Sequence, residues 1–265
     1  MNKIYYKDLT SYVSQVLEKV GLDQYSNDAV TTGLCEASLR GVDSHGIRLL
    51  PHYINSAVSG RKNPKPNMQY HSKYPAAGML HADDGFGQAA GFKAIDIGVD
   101  IAKKTGIAAI SVSHSSHAGA MASFVLRAAR QGFIAMAFTH ADSLILSHGG
   151  VRPYFGTNPI AMAAPRKDME PFCLDMAPSL FSWNKVRSYG DNELELPEGL
   201  VVDADAKPTT NPKEAVCLRG IGDYKGFALT SMIEVFCGVV SGMNFGRSIP
   251  SMFGTSIKEP RKLGQ

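Results

Sequence analysis

Between Arg40 and Tyr53 the chain reads RGVDSHGIRLLPHY, which gathers imidazoles, guanidiniums and a phenol in one short segment. If a helix opens near Ser44, His45, Arg48 and His52 align along one side, because residues three, four and seven apart share a helix face. Ile47, Leu50 and Ile54 fall on the other side and can pack. The segment divides into an apolar anchor and a polar edge, whose groups are of the kind that move a proton or hold an anion. A second pair, His114 and His117 in SVSHSSHAGAMASF, stands where a β-prone run gives way to a helix. The carboxyl edge of an α/β sheet is where ligands bind, and the small Ala118, Gly119 and Ala120 let a flat ring approach the backbone. The same window equally fits a polar loop histidine satisfied by its own backbone.

Other chemistries find less support. The pairs His45/His52 and His114/His117 do not match the helix-borne HExxH pattern and have no carboxylate at matching spacing, so no metal site is expected. There is no GxSxG elbow, and Cys35, Cys173, Cys217 and Cys237 are too scattered for a zinc or disulfide framework. They read as reduced, mostly buried thiols. DDGFGQAAGF and GIGDYKGF are rich in glycine, yet neither has the spacing and following acid of the Rossmann turn. Short polar clusters remain around Thr157, Asn158 and Pro159, around Asp175, and around Lys225. Backbone amides, an acid and a cation of this sort can hold a nucleotide, although each cluster alone also fits a turn, a cap or a solvated lysine.

The elements that must position these groups follow from periodicity. In DLTSYVSQVLEKVGL, Leu9, Tyr12, Val13, Val16, Leu17 and Val20 recur at three and four, with Gly21 as a stop. SNDAVTTGLCEASLRG predicts a second helix capped by Ser26 or Asn27 and ended by Gly41, and a third helix ends near Gly60. GRKNPKPNMQY breaks the pattern and marks a boundary, giving an N-terminal helical region over 1–70 and an α/β region over 71–265. In the latter, FGQAAGFKAIDIGVDIAKKTG and GAMASFVLRAARQG read as helices, and IAAISVS and FIAMAFTH as strands, the last a buried one. The alternation argues for an α/β layer. PIAMAAP and PFCLDMA are short apolar runs, GDNELELPEGLVVDADAKPTTNP is a polar linker, and a strongly apolar helix runs from Tyr224 to about Val240.

Composition narrows the class of function. With 265 residues, 44% hydrophobic and 19% charged, the chain can bury a substantial core in one large or two modest domains. A net charge of +3 with scattered Lys and Arg gives no footprint for nucleic acid. No run of about 18 apolar residues exists to span a bilayer, and MNKIYYKDLTSYVSQ lacks the apolar core of a secretion signal, so the expected location is the cytoplasm.

Taken in order, RGVDSHGIRLLPHY, LHADDGFGQAAG, SHSSHAGAMASF, GTNPIAMAAP, LDMA, PTTNP, GDYKGFAL and FGRSIPSM span essentially the whole chain. In order and spacing these blocks resemble the malate/L-lactate dehydrogenase family, which is distinct from the Rossmann-type enzymes of similar name and includes ureidoglycolate dehydrogenase, sulfolactate dehydrogenase and diketogulonate reductase. The resemblance implies an α/β chain with a non-Rossmann dinucleotide-binding fold, using NAD or NADP on a small 2-hydroxy or 2-oxo acid, as a homodimer. It implies that Arg48 grips the substrate carboxylate, which a guanidinium does with two parallel hydrogen bonds, and that Tyr53 flanks the substrate. His45 and His117 match the histidines given the acid/base role, with His117 preferred because it stands at the strand end where the cofactor should lie. Thr157, Asn158, Pro159, Asp175, Met176, Ala177 and Lys225 match cofactor contacts. His52, His114, His140 and His148 are left as structural or peripheral.

One departure accompanies the resemblance. Family members continue beyond the equivalent of RKLGQ, whereas this sequence stops at Gln265, so part of the core and of the dinucleotide site is expected to be missing. The alternative expectation is a truncated, non-catalytic relative that acts as a binding or interaction protein.

Overall fold

Helix α1, Tyr6–Val20, buries Val13 and Leu17 and ends where Gly21 turns left-handed at φ 94°. A left-handed closing residue satisfies the last carbonyls and favours glycine, so the predicted stop is the observed one. Helix α2, Gln24–Leu39, begins earlier than expected: the cap is Asp23, whose carboxylate accepts the Ser26 N–H at 2.7 Å. Ser26 and Asn27 lie buried in the first turn instead, and Asn27 Nδ2 donates to the Ser14 carbonyl of α1 at 3.0 Å.

The segment from Ser44 is not one helix. Two tight 3-10 turns, Asp43–His45 and Ile47–Leu49, lead into helix α3, Leu50–Val58. Ser38 Oγ of α2 captures the Ile47 N–H at 2.9 Å, and Gly46 lies so close to Ser38 that a Cβ there would collide with it. That side-chain bond stands in place of a helical one, which is why the periodic pattern misleads here.

The computed structural model describes residues 4–253 and 258–265. After the hairpin β1, Gln69–Tyr74, and β2, Ala77–His81, helix α4, Gly87–Thr105, crosses to β3, Ala109–Ser113, which pairs parallel to β2. Helix α5, Ala122–Ala129, and strands β4, Ala135–Phe138, β5, Ile145–Leu146, and β6, Pro153–Phe155, come next. Then follow β7, Ile160–Arg166, β8, Met169–Met176, and helix α6, Trp183–Asp191. Three short strands, β9 to β11 (Val201–Val202, Pro208–Thr209 and Cys217–Leu218), precede helix α7, Tyr224–Glu234, which continues as a π-helical stretch over Val235–Val240. The strands form three sheets, β1-β2-β3, β4-β7-β8 and β10-β9-β11-β5-β6.

Of the expected α/β alternation, β2-α4-β3 is the crossover that gives a parallel pair. Strands β7 and β8 are joined by only Lys167 and Asp168, and so short a link forces an antiparallel pair. Strand β4 is not buried throughout, since Met136 is 50% exposed. The proline-rich break near residue 65 interrupts secondary structure but not the core. Val13, Leu34 and Tyr53 from one side pack in the same apolar cluster as Phe86, Phe124 and Ala161 from the other. Cys35, Cys217 and Cys237 are buried free thiols and Cys173 is half-buried.

Candidate active site

A cleft of about 1060 Å³ opens between the end of α2, the 3-10 turns, the loop after β3, the end of β8 and α6. His45 and His117, distant in sequence, meet on its wall with rings stacked at 5.6 Å and 20°. His117 Nδ1 lies 2.8 Å from the Tyr53 hydroxyl, which itself accepts from Gln88 Nε2 at 2.8 Å. Tyr53 is wholly buried and Gln88 nearly so. With Gln88 donating, the Tyr53 hydrogen points to Nδ1, so a neutral His117 carries its own hydrogen on Nε2. Among the described residues Gln88 Oε1 has no partner.

Glycines make this arrangement feasible. At Gly87 a Cβ would collide with the carbonyl oxygens of Ser116 and His117, and at Gly119, φ 76°, it would come within 2.8 Å of Gln88 Nε2. The glycine-rich DDGFGQAAG thus packs the start of α4 against the His117 loop rather than forming a Rossmann turn.

Burial drives the electrostatics. It lowers His45 to about pKa 4, and lowers His117 well below 6.5 with further contributions from His45, Lys62, Arg261 and His52. Both imidazoles are therefore neutral near pH 7. His52 is also lowered, to about 3, first by burial and then by the cations Lys62, Arg61, Arg261 and Arg187.

The polar edge expected from the sequence is split by the turns. Arg48 lines the cleft beside His45, half-exposed and paired with Asp191 of α6 at 3.2 Å. His52 does not line the cleft and faces Phe253 at 5.3 Å. Tyr53 is corrected from a substrate-flanking aromatic to a support behind His117, because its 0% exposure leaves it no face on the cleft. The tight turns carry His45 and Arg48 to the cleft, whereas α3 rotates Tyr53 into the core.

Among the residues matched to cofactor contacts, Thr157, Pro159, Asp175, Met176 and Ala177 line the cleft. Asp175 Oδ2 also accepts the Ala122 N–H at 2.8 Å, closing the start of α5, and burial raises its carboxyl above the usual range. Asn158 does not line the cleft. It is fully buried, donates to the Thr230 carbonyl at 3.0 Å and to Glu234 at 2.5 Å, and accepts from Ala141 N–H at 3.1 Å. An amide so occupied fixes its loop to α7 and has no hydrogen left for a ligand. Lys225, exposed on the first turn of α7, does not line the cleft either. His140 is buried away from it and accepts the Gly264 N–H at 2.8 Å. Among the described residues no cluster of three or more His, Cys, Asp or Glu side chains could hold a metal ion.

Sequence reasoning missed Gln88, Asp142, Arg261 and the α6 cover, whose Asn184 donates to the Ser44 carbonyl at 2.9 Å. Only Gln88, a polar residue among small ones early in a helix, left a readable trace.

Residues 4–265 match the family described as malate/L-lactate dehydrogenase. The chain belongs to the malate/L-lactate dehydrogenase family. Within it, this member is 33% identical to the ureidoglycolate dehydrogenase (NAD(+)) of Escherichia coli strain K12, over 99% of this chain and 75% of that protein. It is 34% identical to the (2R)-3-sulfolactate dehydrogenase (NADP(+)) of Chromohalobacter salexigens, over 92% of this chain and 74% of the other. The crystal structure of delta1-piperideine-2-carboxylate reductase from Pseudomonas syringae superposes with TM-score 0.92 at 28% identity, covering 100% of this chain and 80% of that one. The mixed α/β fold is thus that of malate/L-lactate dehydrogenase family members, as the motif blocks led one to expect. Among the described residues no helix is long and apolar enough to cross a membrane.

Proposed function

We propose that this chain is an NAD(P)-dependent oxidoreductase that moves a hydride between a nicotinamide and a small 2-hydroxy or 2-oxo acid, as a homodimer in the cytoplasm. The observation that carries the reading is His117 on the cleft wall with its inner nitrogen fixed by the buried Tyr53–Gln88 pair. An imidazole with one nitrogen oriented and the other toward a cleft is what general acid–base catalysis uses. The dehydrogenases named above support it, and they do not favour the non-catalytic alternative.

A dinucleotide fits what is present. The cleft is slightly larger than the roughly 300–1,000 Å³ usual for small-molecule sites. Thr157, Pro159, Asp175, Met176 and Ala177 would hold the cofactor against the small Gly119 and Ala120, all on the cleft wall. When bound, it supplies or accepts the hydride. The region up to about residue 70 carries the substrate-binding Arg48, and the region beyond it carries the cofactor contacts together with His117.

Arg48 takes the substrate carboxylate by exchanging its partner Asp191, an exposed pair worth only about 0–1 kcal/mol. In the oxidative direction His117 Nε2 accepts the hydroxyl proton only in the other neutral tautomer, in which the ring hydrogen has moved from Nε2 to Nδ1. Nδ1 must then carry a hydrogen toward Tyr53, and Tyr53 must donate onward. The unpartnered Gln88 Oε1 becomes that acceptor when the amide turns over. In reduction the same imidazolium returns the proton. His45 is the weaker choice for this step, since the partner given to its Nδ1 is the hydroxyl of Ser44 at 2.9 Å.

Support for the homodimer is an exposed apolar face that includes Met136, Phe172 and Phe236; light scattering at graded concentration checks it. Fluorescence titration with NADH and with NADPH, followed by turnover of a panel of 2-oxo acids, tests the activity. Saturable binding and turnover are expected, and a folded chain that binds neither nucleotide refutes the reading.

A further inference from the structure

Lys62, shortly after helix α3, carries an amine that the fold shuts in. The residue is 3% exposed, and its Nζ has no hydrogen-bond partner among the described residues. Nζ lies instead over two ring faces, 3.9 Å from the centre of Tyr53 and 4.8 Å from that of Phe86, and these rings meet edge to face at 6.0 Å. A lysine that only filled space would carry its charge out to water along its flexible stem. The face of an aromatic ring is negative and attracts an ammonium, the more so where water is excluded, whereas it gives a neutral amine little. The position of Nζ is thus that of a cation held by rings.

The ring that holds Lys62 also serves His117. The Tyr53 hydroxyl lies 2.8 Å from His117 Nδ1, and the two ring centres are 6.1 Å apart. Nζ is therefore no more than about 10 Å from the imidazole, the reach of a charge in ordinary salt. His117 also faces His45 of the first 3-10 turn, His52 of α3 and Arg261 of the segment 258–265. His45 and His52 take up protons only near pH 4 and 3, and the charge of Arg261 is met by Asp142. Lys62 faces Arg61 and Arg261, and among the described residues no carboxylate bonds it. We propose that Lys62 is a positioning residue for the proton transfer: its ammonium, seated on the Tyr53 ring, sets how readily His117 Nε2 takes up a proton. The inference rests on the function proposed above, and Lys62 itself does not line the cleft. Burial lowers both groups, Arg261 and Arg61 lower the amine further, and the ring faces oppose that. Starting from 10.5 against 6.5, the amine is charged before the imidazole is.

The test is the pH profile of 2-hydroxy acid oxidation, with whichever oxidised nucleotide supports turnover, in the native chain and in Lys62→Met, where an uncharged thioether replaces the amine. The acidic limb reports protonation of His117 and should lie about one pH unit higher in Lys62→Met, the effect of one charge at this distance. Lys62→Arg, which keeps a cation, should stay nearer the native limb. A limb at the same pH in the native chain and in Lys62→Met overturns the proposal. So does a Lys62→Met variant whose rate falls by one factor at every pH, the mark of packing alone, or one altered only in KM. The imidazole can also be followed by nuclear magnetic resonance. The His117 signal, identified by its loss in His117→Ala, should titrate at lower pH in the native chain than in Lys62→Met. That difference upholds the role of Lys62 even where lack of turnover removes the proposed activity; coincident titrations overturn it. If Lys62→Met does not fold, Lys62→Gln is read in the same two ways. With no variant at all, the native Nζ signal should be that of a charged amine at the pH where His117 titrates, and a neutral one overturns the proposal.

Discussion

The molecule holds two stacked pairs of histidines, each with one member just beyond the end of β3. His45 and His117 stack at 5.6 Å on the main cleft, and His81, which lines a smaller depression with Asp83, stacks on His114 at 4.3 Å. The residues are the same and the ring geometry is similar. Their inner nitrogens differ: His117 Nδ1 meets a buried hydroxyl, whereas His114 Nδ1 is buried without a partner among the described residues. His114 also sits at φ 52° with Asp84 close enough to act on it electrostatically. A histidine pair is thus equipped for proton transfer by its supports and by the space before it, not by pairing.

If that contrast is right, His117→Ala should lower kcat by about 10²- to 10⁴-fold, the usual worth of a positioned acid or base. His45→Ala should cost less, and steady-state kinetics of both variants would break the assignment if the order were reversed. Next in size, Tyr53→Phe removes the hydroxyl and leaves Nδ1 and Gln88 unpaired. A lost buried hydrogen bond of about 1–3 kcal/mol predicts a fall in kcat of tenfold or more and a lower melting temperature. A kcat unchanged in this variant would show that His117 does not depend on its support.

Acidity gives a gentler test of the His45–His117 pair. His45 is held near pKa 4 and His117 well below 6.5, while the unfolded chain titrates near about 6.5. Between these values the unfolded chain binds more protons, so the stability due to both neutral rings is present above pH 6.5 and is lost as pH falls toward 4. Melting curves across this window should show the decline, with a smaller slope in His45→Gln. Oxidation of a 2-hydroxy acid, which needs neutral His117, should keep its rate below pH 6.5, where an ordinary histidine is already charged. The smallest effect belongs to the other pair: His81→Ala should change kcat by less than about threefold, and a larger loss would bring that depression into the chemistry.

The long periodic elements were legible. Helices α1, α4 and α5 and strand β3 depend on local spacing and on glycines such as Gly21, so near neighbours in sequence settle them. Helix α2 was legible apart from its cap, and the stretch after Ser44 was not. There a hydroxyl from Ser38, nine residues earlier, takes the Ile47 N–H, and no periodicity records such a bond. In the site, residue type singled out His45, His117 and Arg48, and the fold brings all three to one cleft. It erred on Asn158, whose neighbours Thr157 and Pro159 do line the cleft, because sequence adjacency does not say which of three loop side chains turns inward.

By itself the sequence determined which chemistry was on hand, through residue types in a fixed order, and which segments were helical, through spacing that neighbouring residues alone enforce. Tertiary structure decided which groups share a cleft and in what protonation state. His117, Tyr53 and Gln88 come from three separate elements, and only their burial together makes both rings neutral and orients one nitrogen. Arg261 likewise has no meaning in KEPRKLGQ. It gains one when folding buries it beside Arg61 and Lys62 and pairs it with Asp142, because the energy of a charge depends on what surrounds it.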